Sequence, residues 1–264
     1  MINKLRIGRI PYANLFPIFY TLETEFDCSS YEFVEGAPSK LNRMLNNGQV
    51  DLSPSSSIEY LRNPSRYKYI DGISLSSRGP VGSIFLFTAR PVEQLKESTV
   101  YVSSQSETSV ALLNIIFKKF YRANCTLKVS DNPEDSGGEA FLLIGDDALR
   151  YKSQKSELIY DLGEIWYKYT GLPFVFALWI VRRELYREKD FRHGLFNKFT
   201  EDLNRAKDIA LGNLLEIAKH SPMKRFMSED EIISYWNKLD YELSDAHKKG
   251  LELFNQYLKE LSYF

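Results

Sequence analysis

Small hydroxyl residues are concentrated at two places where a predicted strand gives way to a predicted helix. The first place is LSPSSSIEY, with Ser55, Ser56 and Ser57, and the second is SSQSETS at residues 103–109. The first turn of a helix has unpaired N–H groups and a partial positive charge, so it binds carboxylates and phosphates well. Serine and threonine hydroxyls add donors there without bulk. Capping alone explains one such junction, but two on opposite lobes of a cleft favour the binding of a small anion.

The three serines of the first junction exceed what the start of a helix needs. Ser56 and Glu59 match a capping box, which would satisfy the first turn by itself. Pro54 is expected to end the preceding strand. Ser55 and Ser57 are then left over, and a bound ligand would explain them.

An arginine and a pair of aspartates are further candidates. Arg78 lies in SSRGPVGS, where its guanidinium could bind a carboxylate through two parallel hydrogen bonds. A surface arginine in a turn is the alternative. Asp146 and Asp147 follow the predicted strand FLLIG, and such a pair can bind a metal, accept a substrate hydroxyl or cap a helix. A metal is the least favoured, because no other carboxylate or histidine cluster accompanies the pair.

Several well-known catalytic motifs are absent from the sequence. It contains no G-x-G-x-x-G, Walker A, H-E-x-x-H or G-x-S-x-G pattern. The three histidines, His193, His220 and His247, all lie in the C-terminal part, where each is expected to be a surface or capping residue. A Ser-His-Asp hydrolase and a zinc enzyme are therefore disfavoured.

The elements that must position these residues alternate between strand and helix. Residues 5–62 follow a β-α-β-α-β-α order, which is typical of a parallel sheet covered by helices. Longer strands come next, and after Arg183 the pattern predicts helices only, with a capping box at Ser228 and Glu231.

This order predicts an α/β protein of two lobes with a helical C-terminal segment. The first lobe would contain residues 1–88 and 177–264, and the second would be an insertion of residues 89–176. The strands at 83–89 and 174–182 would be the two crossings between the lobes. A ligand would then bind in the cleft, at the carboxyl ends of the parallel strands.

Composition and charge exclude some classes of protein. The chain has 264 residues, a net charge of −1 and two cysteines, Cys28 and Cys125, without metal-binding spacing. A net charge near zero gives no general attraction to nucleic acid or to an anionic membrane. The N-terminal MINKLRIGRIPYANLF lacks the apolar core and cleavage site of a signal peptide, and no apolar run approaches the ~20 residues of a membrane span. We therefore predict a cytoplasmic protein with free thiols.

Seven motifs, taken in order, resemble the chorismate dehydratases of the futalosine route to menaquinone. They are RIPYANLFPIFY, VDLSPSSSIEYL, SLSSRGPVGSIFLF, SQSETSVALL, IGDDAL, DLGEIWYKYTGLPFVFALWIVR and DYELSDAHKKGLELF. The resemblance runs from Leu5 to about Phe254, and the combination is specific where no single motif is. It implies the two-lobed fold of type II periplasmic binding proteins, in agreement with the lobes predicted from the pattern.

The resemblance also implies an activity. The family removes water from chorismate without a cofactor and leaves the aromatic 3-[(1-carboxyvinyl)oxy]benzoate. Because aromatisation supplies driving force, the protein mainly has to orient the substrate, help remove one proton and help hydroxide leave. The substrate carries two carboxylates, which would match two anion-binding helix starts.

The family motifs suggest two catalytic residues. Asn14 of PYAN would lie at the reacting centre, with Tyr12 on the same wall of the site. An amide is no general base, but it can donate to a leaving hydroxyl or hold a carboxylate. Asp146 is the best protein candidate for the base or for a hydroxyl partner. The alternative is that a carboxylate of the substrate takes the proton.

The same resemblance suggests the substrate-binding residues. Ser55 and Ser56 would bind one carboxylate, and Arg78 and Ser83 would add contacts near the hinge. The remaining predicted contacts are Ser106, Thr108 and Ser109 for the other carboxylate, and Trp179, which could stack on the ring or belong to the core.

Three rival interpretations stay open at the level of sequence. One is a cytosolic binding or sensor protein for a small anion, and another is the later naphthoate synthase of the same pathway, which has a related fold. The third is an interaction role for the C-terminal helices, whose aromatic residues could pack a homodimer. Composition does not decide that third point.

Overall fold

The computed structural model describes residues 4–103, 107–152, 158–187 and 191–264. The chain forms two compact units. The first unit comprises Met1–Leu75, Ala177–Asn237 and Tyr241–Leu243, and the second comprises Ser76–Phe176, Lys238–Asp240 and Ser244–Phe264.

Strands and helices alternate through most of the described chain. The strands are β1 Leu5–Arg9, β2 Tyr31–Glu35, β3 Leu52–Ser56, β4 Tyr67–Ser77, β5 Ile84–Thr88, β6 Thr99–Val102, β7 Thr126–Val129, β8 Ala140–Ile144, β9 Leu158–Asp161 and β10 Phe174–Arg182. The helices are α1 Phe16–Glu25, α2 Pro38–Asn46, α3 Ser57–Arg62, α4 Glu107–Ile115, α5 Gly145–Lys152, α6 Leu162–Thr170, α7 Arg183–Arg187, α8 Phe191–Gly212, α9 Leu214–Ala218, α10 Glu229–Trp236 and α11 Asp245–Glu260. A π-helical segment, Ile116–Tyr121, extends α4.

The sheet of the first unit has the strand order β2-β1-β3-β10-β4. β1 lies between β2 and β3 and is parallel to both, whereas β10 runs antiparallel to β3. The carboxyl ends of β1 and β3 therefore lie at the same edge of the sheet as the start of β10. Phe19, Trp179 and Trp236 are buried in the core of this unit.

The sheet of the second unit has the order β7-β6-β8-β5-β9. β6 is parallel to β7 and β8, and β5 runs antiparallel to β8 and β9. The carboxyl ends of β6, β8 and β9 therefore share one edge with the start of β5. All five residues of β5 are buried, as expected for a strand paired on both sides and covered on both faces.

Several predictions from the pattern are confirmed. The α/β class is correct, and after β10 the described residues form helices and the loops between them, with a single bridge between Ser76 and Asp240. Ser228 and Glu231 form the predicted capping box, with the Ser228 N–H donating to Glu231 Oε2 at 2.8 Å.

The two units differ from the predicted lobes in two places. The chain leaves the first unit within β4, after Leu75, and β5 belongs to the second sheet because both of its neighbours are strands of that sheet. The last helix, α11, also belongs to the second unit, where it packs on α4. Its Gly250 lies so close to the Pro173 carbonyl that an added Cβ would be 2.0 Å from that oxygen.

Candidate active site

A tight turn after β1 presents Asn14 in the first unit. The Leu15 N–H donates to the Tyr12 carbonyl at 3.1 Å, and α1 begins one residue later. Two buried aromatic side chains fix the turn: Trp236 Nε1 donates to the Ala13 carbonyl at 2.9 Å, and the Tyr241 hydroxyl donates to the Asn14 carbonyl at 2.6 Å. Within the part of the chain that the structure describes, the buried Asn14 Oδ1 has no hydrogen-bond partner. The turn is therefore held through its backbone, and Asn14 Oδ1 is a buried acceptor whose hydrogen bond no described residue supplies.

Ser55 lies at the same edge of the first sheet as this turn. It is fully buried, it lies opposite Leu178 of β10, and its Oγ also has no partner among the described residues. A buried hydroxyl without a partner is costly, so a position of this kind calls for a ligand or water. Ser55 and Asn14 are the two predicted site residues of the first unit that have such an atom.

Two structural expectations at this junction were wrong, namely the strand end at Pro54 and the capping box of Ser56 and Glu59. Pro54 does not end β3, and it lies within the strand opposite Trp179. β1 pairs with β3 only at Ile7 and Leu52, so the missing N–H of Pro54 costs no bond with β1. Ser56 does occupy the N-cap position of α3, but its side chain makes no capping bond.

Trp179 is placed in the core of the first unit. It is 1% exposed, and its ring centroid lies 5.5 Å from that of Phe19 and 6.1 Å from that of Phe199. This environment favours the alternative that Trp179 is a packing residue.

The second unit brings Ser83 and Asp146 to one edge of its sheet. The Gly145 N–H donates to the Ser83 carbonyl at 2.7 Å, across the ends of β5 and β8. Gly145 has a φ of 58°, which lets the chain turn from β8 directly into α5 and places Asp146 in the first turn. Ser83 is buried and Asp146 is half-buried.

Thr108 and Ser109 lie in the first turn of α4, which follows β6. Both are buried, and β6 is parallel to its neighbour β8, so α4 begins at the same edge of the sheet as α5. The structure thus collects Ser83, Thr108 and Ser109 at the edge that carries Asp146. Ser106 lies outside the described residues.

Arg78 binds a carboxylate of its own unit. Its Nε donates to Asp240 Oδ2 at 2.8 Å, and one terminal nitrogen donates to Ser244 Oγ at 3.3 Å. The side chain is 48% exposed. The sequence identified Arg78 as a carboxylate ligand, but it gave no sign of Asp240, which is 162 positions away.

Asp161 is a residue of this edge that the sequence analysis missed. Its carboxylate accepts from the N–H groups of Val81, Gly82, Gly163 and Glu164 at 2.7–3.1 Å. Burial raises the pKa of Asp161, and the four N–H groups oppose that shift. Asp161 therefore ties the loop after Arg78 to the start of α6. An aspartate three positions before Glu164 was a readable N-cap signal, but the bonds to Val81 and Gly82 were not readable.

His247 is a capping residue, as predicted, and it is buried. Its Nδ1 accepts from the Ser244 N–H at 3.2 Å as part of a capping box at the start of α11.

Among the residues that the structure describes, no three His, Cys, Asp or Glu side chains form a group that could hold a metal ion. No helix within the described ranges is long and apolar enough to cross a membrane.

Residues 5–260 match the family model described as menaquinone biosynthesis. The chain is 28% identical over 274 residues to the chorismate dehydratase of Thermus thermophilus. This alignment covers 96% of this chain and 94% of the relative. It is also 28% identical over 189 residues to the chorismate dehydratase of Campylobacter jejuni, covering 69% of this chain and 70% of the relative. The first of these alignments extends through both units.

Solved structures show the fold. A protein from Archaeoglobus fulgidus matches with a TM-score of 0.78 at 16% identity, over 99% of both chains. A Candida albicans protein with the generic periplasmic-binding-protein fold matches with a TM-score of 0.70 at 13% identity, over 99% of this chain and 90% of the other. An alkanesulfonate-binding protein from Xanthomonas axonopodis gives 0.69 at 16% identity, over 99% and 92%. The fold is therefore that of the periplasmic binding proteins.

Proposed function

The chain belongs to the menaquinone biosynthesis family, and from that premise we propose that it is a chorismate dehydratase, a carbon–oxygen lyase that works without a cofactor. Its product would be 3-[(1-carboxyvinyl)oxy]benzoate. The observation that carries the proposal is the alignment with the Thermus thermophilus enzyme along nearly the whole of both chains. The unpartnered polar atoms of Asn14 and Ser55 add a second line of support.

The dehydration of chorismate breaks one C–H bond and one C–O bond of the ring. A proton leaves the ring carbon that bears the enolpyruvyl ether, the C–O bond of the neighbouring ring carbon breaks, and the hydroxide leaves as water. The ring becomes aromatic, so positioning and hydrogen bonding at the leaving group are the main tasks. The Nδ2 group of Asn14 could donate to the leaving hydroxyl, and its unpartnered Oδ1 could accept from a hydroxyl of the substrate.

The two carboxylates of the substrate dianion would be bound by hydroxyl and guanidinium groups. Ser55 and Ser56 would bind one carboxylate through their hydroxyls. Thr108 and Ser109 would bind the other, together with Ser106 as the sequence suggests, and Arg78 and Ser83 would add contacts. Tyr12 would line the wall beside Asn14.

The proton acceptor is a choice between Asp146 and the substrate. We favour a carboxylate of chorismate as the base, with Asp146 as a partner of the substrate hydroxyl. Losing a general base lowers kcat by about 10²–10⁴-fold. Because Asp146 is not the base in this proposal, replacing it with Asn should lower kcat by less than about 10-fold. The exposed Asp147→Asn is the matched control. A loss beyond about 100-fold at unchanged substrate affinity would make Asp146 the base.

The function itself is tested by mixing the purified protein with chorismate and following the ultraviolet spectrum for an aromatic product. Conversion to the enolpyruvyl benzoate is the expected result, with identification by mass. The rival is a cytosolic protein that binds or senses a small anion, which the likeness to binding proteins keeps open. No conversion, together with tight binding of another small anion, would favour that rival. Turnover of a later pathway intermediate in place of chorismate would favour the naphthoate synthase.

A further inference from the structure

The side chain of Arg78 is fixed along one edge by the segment that precedes α11. Asp240 accepts from Nε at 2.8 Å and Ser244 Oγ accepts from a terminal nitrogen at 3.3 Å. A guanidinium has five N–H donors in a planar fork. These two bonds leave three N–H donors unused. Two of them, one on each terminal nitrogen, point in parallel and can bind the two oxygens of a carboxylate. Because Arg78 is 48% exposed, that free end is accessible.

The two partners of Arg78 are themselves held in place. The Asp240 backbone forms a two-way bridge with Ser76, with N···O distances of 2.7 and 2.8 Å. His247 is 0% exposed, and its Nε2 lies 3.0 Å from Asp240 Oδ2 while its Nδ1 lies 2.9 Å from Ser244 Oγ. One buried imidazole therefore contacts both side chains that hold the arginine.

The backbone around Arg78 is fixed as well. Ser77 Oγ donates to the Gly79 carbonyl at 2.8 Å, and the Val81 and Gly82 N–H groups donate to Asp161. Half-exposed ion pairs contribute little to the stability of a fold. The contacts of Asp240 and Ser244 with the half-exposed guanidinium, and of His247 with both of them, therefore fit a role in presenting that group better than a role in holding the unit together.

We propose that Asp240 and Ser244 are positioning residues that orient Arg78 for a carboxylate of the substrate, with the buried His247 packed against both of them. The inference rests on the proposed function, because it takes chorismate as the ligand. Holding the fork in one orientation reduces the entropy lost on binding, so the effect belongs to substrate affinity. None of the three residues touches the substrate.

The test is a double-mutant cycle on Arg78→Ala and Asp240→Ala, with KM and kcat for chorismate and Kd from calorimetry. Asp240→Ala should raise KM and Kd about 10-fold and change kcat less than about 2-fold. In the Arg78→Ala background the same change should have almost no further effect, because Asp240 acts through Arg78. Asp240→Asn keeps an acceptor oxygen for Nε and should recover part of the loss.

A similar trio in the same unit provides the control. Arg90 donates to Glu139 at 2.5 Å and to Ser98 at 2.9 Å, and both charged side chains are largely exposed. Glu139→Gln should leave KM and Kd unchanged. The inference is overturned if Asp240→Ala binds chorismate as the wild type does, or if its effect persists without Arg78. If the wild type binds chorismate without converting it, the cycle on Kd still decides the inference, and only the proposed activity fails.

Discussion

Asn14 combines a fixed backbone with a free side-chain atom. Its turn is held by hydrogen bonds from Trp236 and Tyr241 to backbone carbonyls, and none of these bonds involves the amide of the side chain. The side chain can therefore be removed without removing what holds the turn. A residue of this kind separates effects on catalysis from effects on stability.

Replacing Asn14 with Ala should therefore lower kcat by about 10²–10³-fold, the usual cost of losing one hydrogen-bond donor at a reacting oxygen. The melting temperature should change by no more than a few degrees. Steady-state kinetics with chorismate and thermal unfolding would measure both. Asn47→Ala, at an exposed position after α2, is the matched control. An Asn14→Ala enzyme with wild-type kcat would remove Asn14 from the catalytic centre.

Single residues also show the limit of reading a sequence. Ser55 and Arg78 were predicted from residue type and Asn14 from the family motif; Asn14 and Ser55 each have a buried polar atom without a partner among the described residues, and Arg78 is half-exposed. Asp161 and Asp240 were missed because their partners lie about 80 and 162 positions away in the chain. Trp179 was ambiguous for a physical reason, since an aromatic residue on an apolar strand suits a core and a ring-binding wall equally well.

Among the elements, β1, β3 and α8 are tied together by one buried carboxylate. Asp51 accepts from the backbone N–H and the guanidinium of Arg6 and also pairs with Arg192. Burial acts to raise the pKa of Asp51, but the hydrogen bonds from the two arginines outweigh it and hold the pKa below its ordinary value. The folded state therefore keeps this group ionised at a lower pH than the unfolded chain does.

This shift determines the sign of a pH effect. Asp51 contributes stability above the unfolded pKa of about 4, and the contribution is lost as the pH falls through the lower folded value. Urea unfolding of the wild type and Asp51→Asn between pH 3 and 7 would measure it. The variant should be less stable at pH 7, by on the order of 3 kcal/mol, since it leaves two arginines without their carboxylate. The difference between the two proteins should shrink toward pH 3, and parallel curves would contradict the assignment.

The position of α11 in the second unit depends on a glycine. An alanine Cβ at Gly250 would lie 2.0 Å from the Pro173 carbonyl oxygen, so the helix would have to move away. Alanine is otherwise the better helix former by about 1 kcal/mol. Gly250→Ala should therefore destabilise the protein by about 1–3 kcal/mol, the usual cost of overpacking.

The exposed Gly194 of α8 is the control for that substitution, because an added Cβ there meets no heavy atom within 4 Å. Gly194→Ala should be neutral or stabilising by up to about 1 kcal/mol. Chemical unfolding at pH 7 would measure both variants. A stabilising Gly250→Ala would show that α11 does not pack on this carbonyl.

At the scale of the whole molecule, hydrophobic periodicity was enough for the α/β class and for the change to helices after β10. It was not enough for the limits of the units. β5 belongs to the second sheet because of its pairing with β8 and β9, and α11 belongs to the second unit because of its packing on α4. Such non-local contacts leave no periodic signal in the sequence, so a prediction from pattern places these elements by their order alone.

The proposed binding of chorismate by Asn14 and Arg78 can be tested by linkage. A ligand at 100 times its Kd stabilises a folded protein by about 2.7 kcal/mol. Chorismate, or the enolpyruvyl benzoate product, should therefore raise the melting temperature of the wild type by several degrees. Asn14→Ala in the first unit and Arg78→Ala in the second should each reduce that rise at a fixed ligand concentration, while Asn47→Ala and Glu139→Gln should keep it. A site variant that keeps the full ligand-induced rise would remove its residue from the binding site.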